Sequence, residues 1–269
     1  MSTLTSPSNP KIKQVRALRQ RKQRAAAGMY VVEGIHPVGE ALSAGASVEY
    51  LCYAPDLLTS DFARGLIQQQ ERRGLPCFPV AKELFSTLAD KENPQGLLAV
   101  VRQNPAALGD LNPGNFPWGV ALVQPQDPGN IGTILRTIDA VGASGLLLLD
   151  SSADPYHPSA VRASMGALFW HPLAMASFDE FTEWASRHAY HVFGSSAHAS
   201  LDYRAVEVYP EPLILLLGSE RQGLSREEAA ICEEVINLPM RGRASSLNLA
   251  VAAGVLLYAI LDRQAPNAG

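Results

Sequence analysis

Short apolar runs alternate with amphipathic segments along most of the chain, and this alternation predicts two α/β domains. Asn9 followed by Pro10 is typical of a helix start, and apolar residues recur at helical spacing over residues 12–18. Strands are predicted at MYVVEG, VEYLCYA, PCFPV and GLLAVVR, with helical segments between them. This order of elements predicts a small α/β domain at residues 1–104.

A second run of alternation follows a proline-rich and glycine-rich stretch at residues 105–117, which lacks periodicity and is expected to be a linker. Six strands are predicted beyond it, at WGVALVQ, GLLLL, PLAMA, YHVFGSS, PLILLLG and VINLP. Their near-continuous apolar character predicts a parallel sheet that is buried on both faces. Helices are predicted at 131–141, 160–168, 178–188, 226–234 and 246–263, which gives a second α/β domain at residues 118–269.

Composition narrows the class of protein. Of the 269 residues, 47% are hydrophobic, as in a globular protein with a sizeable core. The longest apolar stretch, 249–261, is too short to cross a bilayer, and the N-terminus lacks the apolar core of a secretory signal. Three scattered cysteines and six histidines show no spacing typical of disulfide frameworks or zinc sites. We therefore expect no metal and no membrane partner, and a cytoplasmic location.

Positive charge is concentrated at the N-terminus. Residues 1–32 carry a charge of +7 and no acidic residue, although the chain as a whole has a net charge of −4. A basic segment on an otherwise acidic protein is expected to contact a phosphate backbone, and the alternative is a solvated helix face. The candidate residues for this contact are Lys11, Lys13, Arg16, Arg19, Arg21, Lys22 and Arg24.

The first of three candidate loops follows the first strand of the second domain. Its sequence, DPGNIG, is a turn in which Asn130 is expected to cap the next helix, and Arg136 lies nearly two turns further along. A helix N-terminus of this kind can bind an anion. The glycines do not form G-x-G-x-x-G, which disfavours a nicotinamide oxidoreductase. The alternative is that Asn130 only caps the helix and Arg136 only forms a salt bridge.

The other two loops also follow predicted strands. GSERQGLS places Gly218, Glu220 and Gly223 after an aliphatic run, and glycines let a ligand approach the backbone closely. LPMRGRASSLNLAVAAG places Ser246 and Asn248 at the start of a helix rich in small apolar residues. Plain turns and caps remain the alternative for each loop. Ligands in open parallel sheets usually lie beyond the carboxyl ends of the strands, where all three loops are expected.

Together and in this order, the three motifs resemble one family. DPGNIGTILRTIDAVG, GSERQGLS and LPMRGRASSLNLAVAAG, with VRASMGALF at 161–169, are similar to the SpoU/TrmH-type RNA ribose 2′-O-methyltransferases of the SPOUT class. NPKIKQVRALRQRKQR and YVVEG resemble the RNA-binding domain that often precedes them, which has an α/β/α ribosomal-protein-like fold. The resemblance implies a C-terminal SPOUT domain with a parallel sheet and a deep trefoil knot, S-adenosylmethionine as cofactor, and a homodimer formed through the knot region.

The resemblance also assigns site residues. It implies a reaction site of Asn130, Arg136, Glu220, Ser246 and Asn248, and a cofactor pocket that includes Leu217, Gly218, Leu238, Met240 and Leu247. Arg136 is implied to activate the ribose hydroxyl, reaching the cofactor of the partner subunit. Glu220 is expected to hold Arg136 or to accept a proton. Arginine stays protonated in ordinary protein settings, so charge stabilisation is the physically favoured role for Arg136.

The function that follows is transfer of a methyl group to a ribose 2′-hydroxyl of structured RNA, with ribosomal RNA expected rather than transfer RNA. Two alternatives stay open, a transfer-RNA 2′-O-methyltransferase and a non-catalytic RNA-binding or ribosome-assembly protein that retains the fold. The presence of all five reaction-site residues argues against the non-catalytic alternative.

Overall fold

The structure is a computed structural model that describes residues 2–90 and 93–264. The chain forms two compact units, one of Met1–Asn104 with Asp154–Trp170 and one of Pro105–Ala153 with His171–Gly269. The strands are β1 (Met29–Glu33), β2 (Val48–Tyr53), β3 (Cys77–Pro79), β4 (Leu97–Arg102), β5 (Trp118–Val123), β6 (Gly145–Leu149), β7 (Leu173–Ala176), β8 (His191–Ser195), β9 (Leu201–Asp202), β10 (Leu213–Leu217) and β11 (Glu234–Asn237). The α-helices are α1 (Pro10–Ala17), α2 (Arg21–Ala27), α3 (Ile35–Ser43), α4 (Asp61–Arg72), α5 (Lys82–Ser86), α6 (Pro128–Val141), α7 (Pro158–Ala163), α8 (Ala167–Trp170), α9 (Phe178–Arg187), α10 (Arg226–Ala230) and α11 (Leu249–Leu261).

The first unit is built on a four-stranded sheet in the order β1-β4-β2-β3. β4 runs antiparallel to both of its neighbours, so β1 and β2 point the same way and their carboxyl ends lie at one edge. The apolar residues predicted at the N-terminus, Ile12, Val15 and Leu18, are buried with Phe85 against one face of this sheet. The ten strands predicted from the two runs of alternation are confirmed, because each corresponds to a strand of one of the two sheets.

Arg24 lies inside the first unit, which corrects its expected role as an RNA contact. The residue is 2% exposed, and its guanidinium forms a 2.6 Å salt bridge with Asp154. The same guanidinium donates hydrogen bonds to the carbonyls of Leu18 and Arg19. A side chain whose donors are used inside the protein is not available to a phosphate. The basic pattern of the sequence did not distinguish this buried arginine from its exposed neighbours.

The segment 154–170 packs with the N-terminal residues, although its sequence lies within the predicted second domain. Tyr156 stacks against Tyr30 with ring centroids 4.7 Å apart, and the Trp170 indole donates to Glu40. The helix predicted at 160–168 is interrupted between α7 and α8, because Met165 and Gly166 adopt positive φ angles of 51° and 106°. The chain therefore crosses between the units three times.

The second unit contains the predicted parallel sheet, with seven strands in the order β7-β6-β5-β10-β8-β11-β9. Every pairing in it is parallel, and the runs of β5, β6 and β10 are fully buried. The last helix, α11, packs against α6. Strand β9 was not predicted from the sequence, because its two residues are too few to show a pattern.

Residues 105–117, predicted as a linker, are packed into the second unit. Leu111 and Phe116 are buried in its core, and their carbonyls accept hydrogen bonds from the Trp184 indole and the Tyr190 hydroxyl. Proline and glycine here shape a turn-rich but ordered segment. Within the described residues, no helix is both long and apolar enough to span a bilayer.

The buried Arg24–Asp154 pair predicts a large loss of stability when one partner is removed. Asp154→Asn leaves a buried guanidinium without its counter-charge, so we expect the free energy of unfolding to fall by about 3–5 kcal/mol. Urea denaturation followed by circular dichroism measures it. The matched control is Asp61→Asn, because Asp61 pairs with Arg64 on the surface with side chains 97% and 52% exposed. In Asp61→Asn the free energy of unfolding is expected to fall by only about 0–1 kcal/mol. Equal losses in the two variants would contradict the prediction.

Candidate functional site

A cavity of about 270 Å³ lies in the second unit, beyond the carboxyl ends of β8, β10 and β11. All five predicted cofactor positions line it, together with Glu220 and Ser246. The apolar side chains at its wall include Leu217, Leu238 and Leu247, and Ala252 of α11 also contributes. The parallel sheet brings these positions together because its strand ends share one edge, so loops that are separate in sequence meet there.

Gly218 is required by the close return of the loop that follows β10. A Cβ atom at this position would lie 2.1 Å from the backbone carbon of Gly223, which is a prohibitive overlap. The Gly223 amide donates to the Ser219 carbonyl at 2.9 Å, and Gly223 has a φ of 67°. The two glycines thus fold the loop back on itself and leave its backbone open to the cavity.

The Glu220 carboxylate holds the turn in front of α6. It accepts hydrogen bonds from the backbone amides of Gln126, at 3.0 and 3.2 Å, and of Asp127, at 3.4 Å. It also accepts one from the Asn130 side-chain amide at 3.2 Å. These contacts tie the Glu220 carboxylate to the turn and first helical turn of α6. Arg136 is not among its partners within the described residues of the single chain.

Asn130 and Asn248 continue the same network. The Asn248 side-chain nitrogen donates to the Asn130 oxygen at 3.0 Å, and the Asn248 oxygen caps α11 by accepting from the amides of Ala250 and Val251. Asn130 is not the N-cap of α6 as expected, because Asp127 takes that position and accepts from Gly129. Asn130 lies inside the first turn and is 8% exposed. The network therefore joins all three predicted loops.

Arg136 lies on a different side of α6 from Asn130. Six residues at about 100° each separate the two side chains by roughly a third of a turn. Arg136 is exposed, forms no hydrogen bond or salt bridge with any described residue, and is absent from the cavity wall. Within one chain the structure thus brings together Asn130, Glu220, Ser246 and Asn248, and it leaves Arg136 outside.

Sequence reasoning missed one side of the cavity. Ser195, the last residue of β8, lines it as well, together with Ser196 and His198, which follow β8. Their loop continues the predicted strand YHVFGSS, so the rule that ligands lie beyond strand ends could have found it. Position alone was the signal, because serine and histidine at isolated positions resemble an ordinary polar turn.

Positive charge surrounds the mouth of the cavity. Arg221, Arg241 and Arg243 are exposed on its loops. Hydrogen bonds from Arg204, with a smaller contribution from the charge of Arg241, lower the pKa of Asp202, at the end of β9, to about 2. Among the described residues, no cluster of His, Cys, Asp and Glu is placed to hold a metal ion.

The N-terminal cations of the first unit differ in how they are held. Arg19 donates to the carbonyls of Leu88 and Ala89, and Arg16 donates to the Thr87 hydroxyl. The Lys11 ammonium lies 4.3 Å from the centroid of the Tyr50 ring. Lys13 and Lys22 are exposed and form no salt bridge with the described residues. Arg21 is also exposed on α2.

Comparison with known proteins gives consistent matches over most of the chain. Residues 117–258 match the SpoU rRNA Methylase family, and residues 9–99 match the MRM3-like substrate binding domain. The 23S rRNA (uridine(2479)-2′-O)-methyltransferase of Streptomyces viridochromogenes is 34% identical over 248 residues, covering 90% of this chain and 85% of that protein. The 23S rRNA (guanosine(2553)-2′-O)-methyltransferase RlmP of Bacillus subtilis is 29% identical, covering 96% and 98%.

Solved structures agree with this result. The crystal structure of AdoMet-bound rRNA methyltransferase from Sinorhizobium meliloti is 35% identical with a TM-score of 0.86, and the match covers 96% of this chain and 97% of that one. The resemblance found in the three loop motifs is therefore confirmed, and the mixed α/β fold with its parallel sheet is that of the solved relatives. The chain belongs to the SpoU rRNA methylase family.

Proposed function

We propose that this protein transfers a methyl group from S-adenosylmethionine to a ribose 2′-hydroxyl of ribosomal RNA. The observation that carries the proposal is the cavity whose wall contains all five expected cofactor positions beside the Asn130–Glu220–Asn248 network. The similar proteins from Streptomyces viridochromogenes and Bacillus subtilis are 23S rRNA 2′-O-methyltransferases, which favours ribosomal RNA over transfer RNA. The free thiols of Cys52, Cys77 and Cys232 are typical of a reducing compartment and support a cytoplasmic location.

The residues of the cavity fit S-adenosylmethionine. Leu217, Leu238 and Leu247 offer apolar walls for an adenine ring, and the backbone around Gly218 is open for hydrogen bonds. The bound cofactor supplies an electrophilic methyl group on a sulfonium. Met240 and the serines at 195, 196 and 246 complete a lining of mixed polarity, as a ligand with both adenosine and amino-acid parts requires.

The reaction needs an oxygen nucleophile in line with the transferred methyl group, so positioning carries much of the rate. In our proposal the Asn130–Asn248 pair fixes the start of α11, and Ser246 orients the ribose near it. Arg136 remains a cation and stabilises the negative charge that develops on the 2′-oxygen, and it also contacts the neighbouring phosphate. Its free guanidinium in the single chain is consistent with such a role.

Loss of the Arg136 guanidinium tests the proposed function. We expect Arg136→Ala to lower methyl transfer about 100- to 1,000-fold, because one preorganised charge-stabilising donor is removed. The measurement is transfer of tritium from labelled S-adenosylmethionine into ribosomal RNA, with cofactor affinity measured in parallel by calorimetry. Arg187→Ala is the matched control, since Arg187 is an exposed helical arginine of the same unit.

Two outcomes of that experiment would count against the proposal. Absence of transfer by the unmodified protein into either ribosomal or transfer RNA would contradict the enzymatic function. Near-normal transfer by Arg136→Ala would leave the function standing and remove the role of Arg136.

We further propose that the protein is a homodimer formed through α11, in which Arg136 of one subunit serves the cavity of the other. Val251, Val255, Tyr258 and Leu261 lie on one side of α11 and are each 40% exposed or more. A contiguous apolar stripe of this kind on a folded chain marks an interaction surface. A twofold interface brings the same helix of two copies together, which would place each α6 close to the partner.

The finer features implied by the resemblance belong to the same proposal. The chain end is proposed to thread through a loop as a deep trefoil knot, so that the 218–223 and 238–248 loops meet in one cavity. An experimental trace with the chain end outside every loop would contradict the knot. The first 104 residues are proposed as an RNA-binding domain with an α/β/α ribosomal-protein-like fold, and residues 118–269 as the methyltransferase domain.

Subunit mixing tests the shared site. Arg136→Ala lacks the cation, and Gly218→Val blocks the cavity loop because a side chain there overlaps Gly223. Each variant alone is expected to be inactive, whereas co-expressed chains should regain about a quarter to a half of normal transfer, since mixed dimers contain one complete site. Light scattering confirms that both variants keep the dimer mass. Failure of the mixture to regain activity despite mixed dimers would contradict the arrangement.

The exposed lysines of α1 and α2 predict that the affinity for RNA falls as the salt concentration rises. Replacing Lys13 and Lys22 by glutamine should reduce the slope of log affinity against log salt by about 1.4, because each lost phosphate contact with single strands contributes roughly 0.7. Filter binding of ribosomal RNA at several salt concentrations measures the slope. The control replaces Arg72 and Arg73, two exposed arginines at the end of α4. Equal slopes in the two double variants would contradict a role for this basic segment.

A further inference from the structure

A second cleft, of about 660 Å³, lies entirely within the first unit. Ile35 and His36, which follow β1, form one side of it, and Thr59, which follows β2, forms another. Gln95, which precedes β4, closes the third side. The cleft therefore lies at the edge of the sheet where β1 and β2 end and β4 begins. The basic segment and the cavity of the second unit contribute nothing to it.

The aromatic ring of Phe62 is exposed to solvent at this cleft. Phe62, in the first turn of α4, is 64% exposed, more than any other large apolar side chain among the described residues. Its ring lies against α3 at Gly39, where an added Cβ atom would be 3.8 Å from the ring. One edge of the ring therefore lies beside α3, while most of its surface faces solvent. An isolated ring exposed to this degree is suited to stacking on a planar ligand.

The polar groups around the ring have unused hydrogen-bonding capacity. The Gln95 side-chain oxygen accepts from the Ile35 amide at 3.1 Å, which fixes the side chain and leaves its NH₂ group without a partner in the described chain. The Thr59 hydroxyl is likewise unpartnered there, while the Thr59 carbonyl accepts from Arg64. His36 adds an exposed imidazole.

The chemistry of the lining defines the ligand class. Among the described residues no Asp, Glu, Lys or Arg lines the cleft, and this lining is suited to a neutral group rather than a phosphate or a charged peptide. A nucleobase is planar, aromatic, uncharged and rich in hydrogen-bonding atoms, and proteins recognise unpaired bases by stacking and by hydrogen bonds to their edges. We propose that this cleft binds an unpaired nucleobase of the RNA substrate, stacked on Phe62 and hydrogen-bonded to Gln95 and Thr59. This inference rests on the proposed function, from which the RNA occupant is taken.

Substitutions at Phe62 separate stacking from simple apolar bulk. Phe62→Leu keeps an apolar side chain but removes the ring, and we expect the Kd and KM for ribosomal RNA to rise about 5- to 100-fold, in the range measured for loss of one base–aromatic stack. Phe62→Trp should stay within about twofold of the unmodified protein. Affinity for S-adenosylmethionine and kcat at saturating RNA should not change. Trp170→Leu is the control, because Trp170 is 53% exposed in the same unit but lies outside the cleft.

Photo-crosslinking gives an independent readout. Ribosomal RNA that carries 4-thiouridine is irradiated with the unmodified protein, and peptides that include residues 57–64 should carry the crosslink. Equal RNA affinity of Phe62→Leu and the unmodified protein, without such a crosslink, would overturn the inference even if methyl transfer is normal. Weaker RNA binding by Phe62→Leu with no methyl transfer by the unmodified protein would support the cleft and contradict the proposed enzyme.

Discussion

The hydrogen bonds of the Glu220 carboxylate are the constraint on which the candidate site depends. Glu220 lies on the loop after β10, yet its oxygens bind the amides of the turn after β5 and the side chain of Asn130. Asn130 in turn binds Asn248, the cap of the last helix. Three loops that are far apart in sequence are thereby fixed to one another by a single carboxylate and two amides.

The physical reason for using these side chains is that loop backbones at a sheet edge have amide groups without sheet partners. A carboxylate accepts several amide hydrogen bonds at once and does so more strongly than a neutral acceptor. Asparagine then links such a site to a helix start, because its side chain both donates and accepts.

Buried charge has a comparable structural role in the first unit. The Arg24–Asp154 pair ties the segment 154–170 to the N-terminal residues, with Tyr30 and Tyr156 stacked beside it. The basic segment of the sequence thus has two kinds of members, a buried arginine that holds the unit together and exposed lysines available to a phosphate backbone. Removal of the N-terminal helices would therefore remove core residues such as Ile12 and Val15 together with the charge.

The sequence alone determined the elements and the family. Apolar runs predicted the buried strands, because an element buried on both faces must be apolar throughout, and three motifs identified the SpoU relationship. The sequence alone could not determine which distant positions are in contact. The packing of residues 105–117, predicted as a linker, did not follow from the sequence because the burial of Phe116 depends on Tyr190 and Trp184, which lie far along the chain. Asn130 was expected as a cap because local turn chemistry does not show which of two polar residues meets Glu220. The tertiary structure alone decided that Arg24 is internal, that Ser195 and His198 line the cavity, and that Arg136 faces away from it, since each outcome depends on which segments the folded chain brings together.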